Sequence, residues 1–137
     1  MKKNKIHVWE YKTHYPISLF VACTDNLKKL SESFKFKNEN IVFDTVWEND
    51  TSAYTYHNLY EDSTGRHCVL VIFKDLKQMN FSTIVHESRH VAQRIWDMIG
   101  EDNYGIEADA YLTEWAAVCM NNCRLEIEKL NKKNKKK

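Results

Sequence analysis

Glycine and proline are scarce in this chain, at three and one of 137 residues. Neither a flexible glycine-rich nor a stiff proline-rich linker can be built from so few; the sequence also holds no internal repeat, and its only low-complexity segment is a lysine-rich tail. No eighteen-residue apolar run occurs, which argues against a membrane-spanning helix. Met1-Lys2-Lys3-Asn4-Lys5 has the charge of a secretory n-region, but His7, Glu10, Lys12 and His14 break up the residues after it. No apolar h-region forms, so a cytoplasmic location in a bacterial host cell is expected. The four cysteines, Cys23, Cys68, Cys119 and Cys123, have no disulfide rhythm and are expected to be reduced thiols. Cys119 and Cys123 lie four apart on a helical pattern. They read as small apolar residues on a buried stripe, with metal ligation as the alternative.

Charge is nearly balanced, at +1, but unevenly distributed. Nine lysines lie at the two ends, and residues 6–128 hold 11 basic against 19 acidic side chains, a net of −8. An acidic body argues against a nucleic-acid groove. The basic tail, about residues 131–137, is expected to be a solvated, disordered end.

The apolar pattern predicts a single α+β domain. Alternation over Ile6–Tyr11 predicts a strand, as do the runs Ile17–Cys23, Ile41–Trp47 and His67–Phe73. A short helix is expected from Asn26 to Ser33, capped by Thr24 or Asp25. Residues 36–40 read as a loop, and Ala53–Tyr60 as either strand or irregular structure. Two helices then close the chain. The first carries the stripe Ile84, Val91, Ile95 and Ile99, widened by Val85, Ala92 and Trp96. Asn80 or Ser82 can cap its start, and Gly100 stands where a C-terminal glycine belongs. The second is expected over Ile106–Leu130, with Leu112, Ala116, Cys119, Cys123, Ile127 and Leu130 facing the core.

On the first of these helices lies His86-Glu87-Ser88-Arg89-His90, the HExxH pattern. Side chains at i and i+4 share a helix face, so His86 and His90 can aim two imidazole nitrogens at one metal ion. Glu87 is rotated about 100° from His86, to the rim of that face, where a carboxylate can take a proton from water. The bland alternative is two surface histidines that happen to lie four apart. A catalytic zinc site takes three protein ligands and leaves one position open. Glu107, at the start of the next helix, is the leading candidate for the third. Glu114, two turns further on the same side, is its rival or an orienting carboxylate. Asp109 lies about 200° around the helix from Glu107.

Ile84-Val85-His86-Glu87 through Trp96, Ile99 and Gly100, followed by Glu107-Ala108-Asp109-Ala110-Tyr111-Leu112-Thr113-Glu114-Trp115, resembles the HExxH zincin-like proteins encoded by phages and prophages. The resemblance is close over residues 67–118 and loose elsewhere. More distantly the chain looks like a minimal gluzincin, in which a glutamate of the following helix is the third zinc ligand. The resemblance implies a zinc metallopeptidase with His86, His90 and Glu107 as ligands to Zn2+ and Glu87 as general base. Thermolysin-like gluzincins carry an aspartate four residues after the ligand glutamate; here that place holds Tyr111. Zinc would bring the pKa of water towards about 7, and Glu87 would pass the proton to a leaving amine. Tyr111, Tyr104 or Arg89 could stabilise the oxyanion, although Arg89 reads as a solvated side chain. The strand His67–Phe73 could be an edge that pairs with an extended peptide or protein substrate. The alternative function is a catalytically silent zinc-binding module that docks a host or phage protein.

Overall fold

In the computed structural model the described residues are 6–32, 34–36, 47–48 and 50–135. The elements are β1 (His7–Lys12), β2 (Ser18–Cys23), α1 (Leu27–Ser31), β3 (Phe34–Phe36), β4 (Ala53–Glu61), β5 (His67–Phe73), α2 (Phe81–Ile99) and α3 (Ile106–Lys135). This is the expected α+β order. The strand expected over Ile41–Trp47 lies, but for Trp47, outside the described residues, as does most of the expected loop 36–40. Ala53–Tyr60, open between strand and irregular structure, is strand.

Among the described residues five strands form one mixed sheet in the order β1-β2-β5-β4-β3. β2 and β5 are adjacent and parallel, Ser18 opposite Cys68 and Cys23 opposite Phe73, and every other pairing is antiparallel. The β2 and β5 runs are almost uninterrupted in apolar residues because both faces of the sheet are covered there. Leu19, Val21, Val69, Val71 and Phe73 pack beneath α2 and α3 with Ile84, Val91, Ile95, Met120 and Ile127. Phe20, Ala22, Cys68, Leu70 and Ile72 point the other way, onto Leu27 and Leu30 of α1. β5 is therefore central. The expectation that it offers a free edge to a peptide is corrected: β2 and β4 occupy its two sides.

The motif helix begins and ends on its expected signals. The Asn80 side chain accepts from the Thr83 N–H at 2.9 Å, and Gly100 closes the helix in the left-handed region at φ 71°. Thr24 and Asp25 do not cap α1; Asn26 does, accepting from the Lys29 N–H. On α3 the buried residues are Ala116, Cys119, Met120, Cys123 and Ile127. Met120 is absent from the expected stripe, whereas Leu130, which belongs to it, is 37% exposed. The helix also continues through the exposed residues 131–135. Lysine is a good helix former, and positive charge suits a helix C-terminus.

Candidate functional site

α2 lies across the sheet with three sides in use. Ile84, Val91 and Ile95 face the core. A second side meets α3, and a third meets β4, which supplies the next largest set of contacts to the helix. Between the α3 and β4 sides is the outward face that carries His86 and His90.

The two imidazoles converge. Their Nε2 atoms are 3.1 Å apart, with ring centroids at 4.8 Å and planes inclined by 73°. A tetrahedral zinc with Zn–N bonds of about 2.05 Å holds its ligand nitrogens about 3.3 Å apart. The pair therefore suits two of the ligands of such an ion. The same spacing suits one N–H···N hydrogen bond, so a proton and a cation compete for these lone pairs.

Glu87 turns from that face towards β4 and is 7% exposed. Its Oε2 accepts from the Thr55 hydroxyl on β4. Nothing around Thr55 in the sequence marks it as a partner of the motif; only the strand's position beside α2 makes it one. Alternation along β4 then places His57 on the same face as Thr55. Ala53 packs into the helix-side core, while Tyr54 and Tyr56 pack on the opposite side of the sheet. The ladder slips by one residue after Tyr56, and Asn58 adopts φ 57°, so His57 is at a β-bulge. Burial lowers the His57 pKa from its ordinary value, Arg94 lowers it further, and Asp97 opposes them. Both of those residues are on α2, one and two turns beyond His90.

The acidic candidates on α3 are not drawn to the histidines. Asp109 faces α2: its Oδ1 accepts from Arg89 Nη1 at 2.7 Å and from Trp96 Nε1 at 2.9 Å. Glu107, about 200° away on the same helix, is turned outward and exposed, and Glu114 shares its side. Among the described residues, no group of three or more His, Cys, Asp or Glu side chains is gathered so as to hold a metal ion. Arg89, expected to be solvated, is part-exposed and also paired with Asp109, and it lies 3.5 Å from Thr113 Oγ1. Tyr104 is stacked on Trp96 at 4.7 Å. Tyr111 is 67% exposed and lines a cleft of about 430 Å³ with Tyr15, Trp96 and Trp115. The three residues considered for an oxyanion role are thus all on the α3 side of α2, away from Glu87 and β4.

Cys119 and Cys123 are buried within the helix-side core, and burial pushes both thiols up to about 12. They behave as the small apolar residues their spacing suggests. No helix among the described residues is long and apolar enough to cross a membrane. No family model, curated protein or solved structure matches this chain.

Proposed function

We propose that the protein is a zinc-dependent metallopeptidase that hydrolyses a peptide or amide bond. The observation that carries this reading is the 3.1 Å approach of the His86 and His90 Nε2 atoms, with the Glu87 carboxylate one residue along the same helix. His86 and His90 would hold the ion. Glu107, the third ligand by the resemblance, would have to swing in from the outward side of α3. Bound there, zinc supplies Lewis acidity that polarises a carbonyl and lowers the pKa of water to about 7.

The chain's own contribution to the chemistry is proton handling at Glu87. As the C–O bond forms, the carboxylate takes the proton of the attacking water and returns it to the leaving nitrogen when the C–N bond breaks. Thr55 donates to Oε2 and leaves Oε1 as the accepting atom. The depth of Glu87 favours a second reading, a zinc-binding module that docks a protein without cutting it, because a base 7% exposed has little access to substrate.

Mass spectrometry of a mixture of unfolded protein fragments separates the two readings. The zinc-loaded wild type is expected to create new N-termini. Glu87→Gln is expected to keep zinc and create none. Full activity in Glu87→Gln removes the base assignment, and a zinc-loaded wild type that cuts nothing leaves the docking module.

A further inference from the structure

β1 is an end strand of the sheet, and among the described residues no strand lies along its outer side. The ladder to β2 decides which backbone groups that side carries. Lys12 stands opposite Ser18, and the next N–H, that of Thr13, donates to the Ile17 carbonyl. His7, Trp9, Tyr11 and Thr13 therefore direct their backbone groups at β2, and Val8, Glu10 and Lys12 direct theirs outward. The side chains alternate in the same way. Trp9 and Tyr11 pack against the core beneath α2 and α3, whereas Ile6, in phase with Val8, Glu10 and Lys12, packs on the α1 side. Along the outer side, β1 and the second half of α3 enclose a groove of about 590 Å³. It is lined by Trp9, Tyr11 and Leu125, with two glutamates and two lysines of α3. Val8 is 38% exposed and Leu125 41%.

We propose that this edge joins two copies of the chain, β1 pairing antiparallel with β1 of the second copy across a two-fold axis. Such a contact requires a surface complementary to itself. Three registers keep most of β1 paired, with the axis at Trp9, Glu10 or Tyr11. An axis at Glu10 sets that carboxylate against its own copy, and like charges directly opposite destabilise a ladder. An axis at Trp9 sets Glu10 against Val8 and Lys12 against Ile6, so neither charge meets an opposite one. An axis at Tyr11 sets Glu10 against Lys12 twice, once on each side of the axis, and these are the residues whose backbone groups face outward. The Glu10 carboxylate is already steadied for that role, accepting from the Ser18 hydroxyl at 2.6 Å and from Arg66 Nη1 at 2.9 Å. On the helix face the same axis brings Tyr11 against its copy and closes the two grooves over each other. Their equal numbers of glutamates and lysines suit a self-contact. A lone extended peptide would add to the same edge without needing its charges to be self-complementary, and that feature favours a second copy.

The test is sedimentation equilibrium of the full chain over a range of concentrations, with each variant first matched to the wild type by far-UV circular dichroism. The wild type is expected to pass from 16.3 kDa to twice that mass as concentration rises. Val8→Pro removes an outward N–H and spares the ladder to β2, so it is expected to stay monomeric. Lys12→Glu turns both cross-axis pairs from attractive to repulsive and is expected to weaken the dimer at least about tenfold. Glu10→Lys does the same from the other side. Mixing Lys12→Glu with Glu10→Lys restores two opposite-charge pairs, so the mixture is expected to form heterodimers where neither variant alone dimerises as the wild type does. A wild type that stays at 16.3 kDa up to about 1 mM overturns the proposal and leaves the edge to an extended peptide. Wild-type dimerisation in Val8→Pro overturns it as well. So does wild-type dimerisation in Lys12→Glu, or a mixture of the two charge variants that associates no better than its components.

Discussion

Replacing Thr55 with valine tests the contact between the motif and the sheet without requiring any substrate. Valine keeps the β-branched shape that suits a strand and substitutes a methyl for the hydroxyl, so little volume is lost. What goes is the hydrogen bond to Glu87 Oε2, in a carboxylate only 7% exposed. A bond to a charged, desolvated acceptor is worth about 1.5–3 kcal/mol. A cost of about 2 kcal/mol corresponds to a fall in Tm of about 7 °C for a chain of this length. Glu87→Gln removes the buried charge and is expected to be neutral or stabilising by about 1 kcal/mol. In that background the loss of the hydroxyl should cost about 1 kcal/mol or less, because the acceptor is then neutral. The coupling between the two positions is therefore about 1 kcal/mol. Urea unfolding of the two single variants and the double variant, in chelator so that metal binding does not contribute, measures it. A Thr55→Val cost below about 0.5 kcal/mol, or a coupling below about 0.3 kcal/mol, would refute the claim that β4 holds the Glu87 carboxylate.

Asp109→Ala removes the acceptor shared by Arg89 and Trp96. The Arg89 pair is partly solvated and contributes at most about 1 kcal/mol, whereas an unpaired indole N–H on a buried ring costs about 1–3 kcal/mol. The urea midpoint should fall by the equivalent of about 2–3 kcal/mol, with a change in tryptophan emission; a loss under about 1 kcal/mol would mean that other contacts hold α3 to α2. At the β4–β5 turn, burial raises the Glu61 pKa, but hydrogen bonds from Ser63 and Thr64 outweigh it and bring the group down to about 2. A depressed carboxylate stabilises the fold above its unfolded value near 4.5 and loses that contribution as pH falls towards 2. Allowing for solvent screening, the loss between pH 5 and 2 should be about 1 kcal/mol, and Glu61→Gln should remove that part of the acid sensitivity.

The parts of the molecule legible in the sequence are those fixed by neighbours in the chain. The α2 cap at Asn80, its end at Gly100 and the convergence of His86 with His90 all depend on residues within one turn of each other. β5 is legible as a strand but not as a central one, although the six unbroken apolar residues from Cys68 to Phe73 are the mark of a strand covered on both faces. Thr55 and His57 cannot be read as partners of α2, because nothing local states which strand runs beside the helix. A weaker signal is present: Tyr54 and Tyr56 alternate with Thr55 and His57, so one face of β4 is bound to be polar, and a polar face directed at a helix needs polar partners.

Helix phase is harder to read than helix position. Sequence order makes Glu107 the leading third ligand only if the helix crossing or an unwound connection brings it back about 15 Å along the axis to His90, and the rotation of α3 about its own axis is not free either. Met120, Cys123 and Ile127 are buried, and Asp109 is bound to Arg89 and Trp96. Turning the helix by about 200° to bring Glu107 inward would place those apolar side chains in water. At about 1.5–3 kcal/mol each, the penalty is at least about 5 kcal/mol before Asp109 loses its partners. A bound zinc ion can contribute more than that, since structural sites reach about 10–16 kcal/mol, so energy alone does not exclude the carboxylate. A less costly route is to unwind only the first turn of α3, which leaves Met120, Cys123 and Ile127 in place.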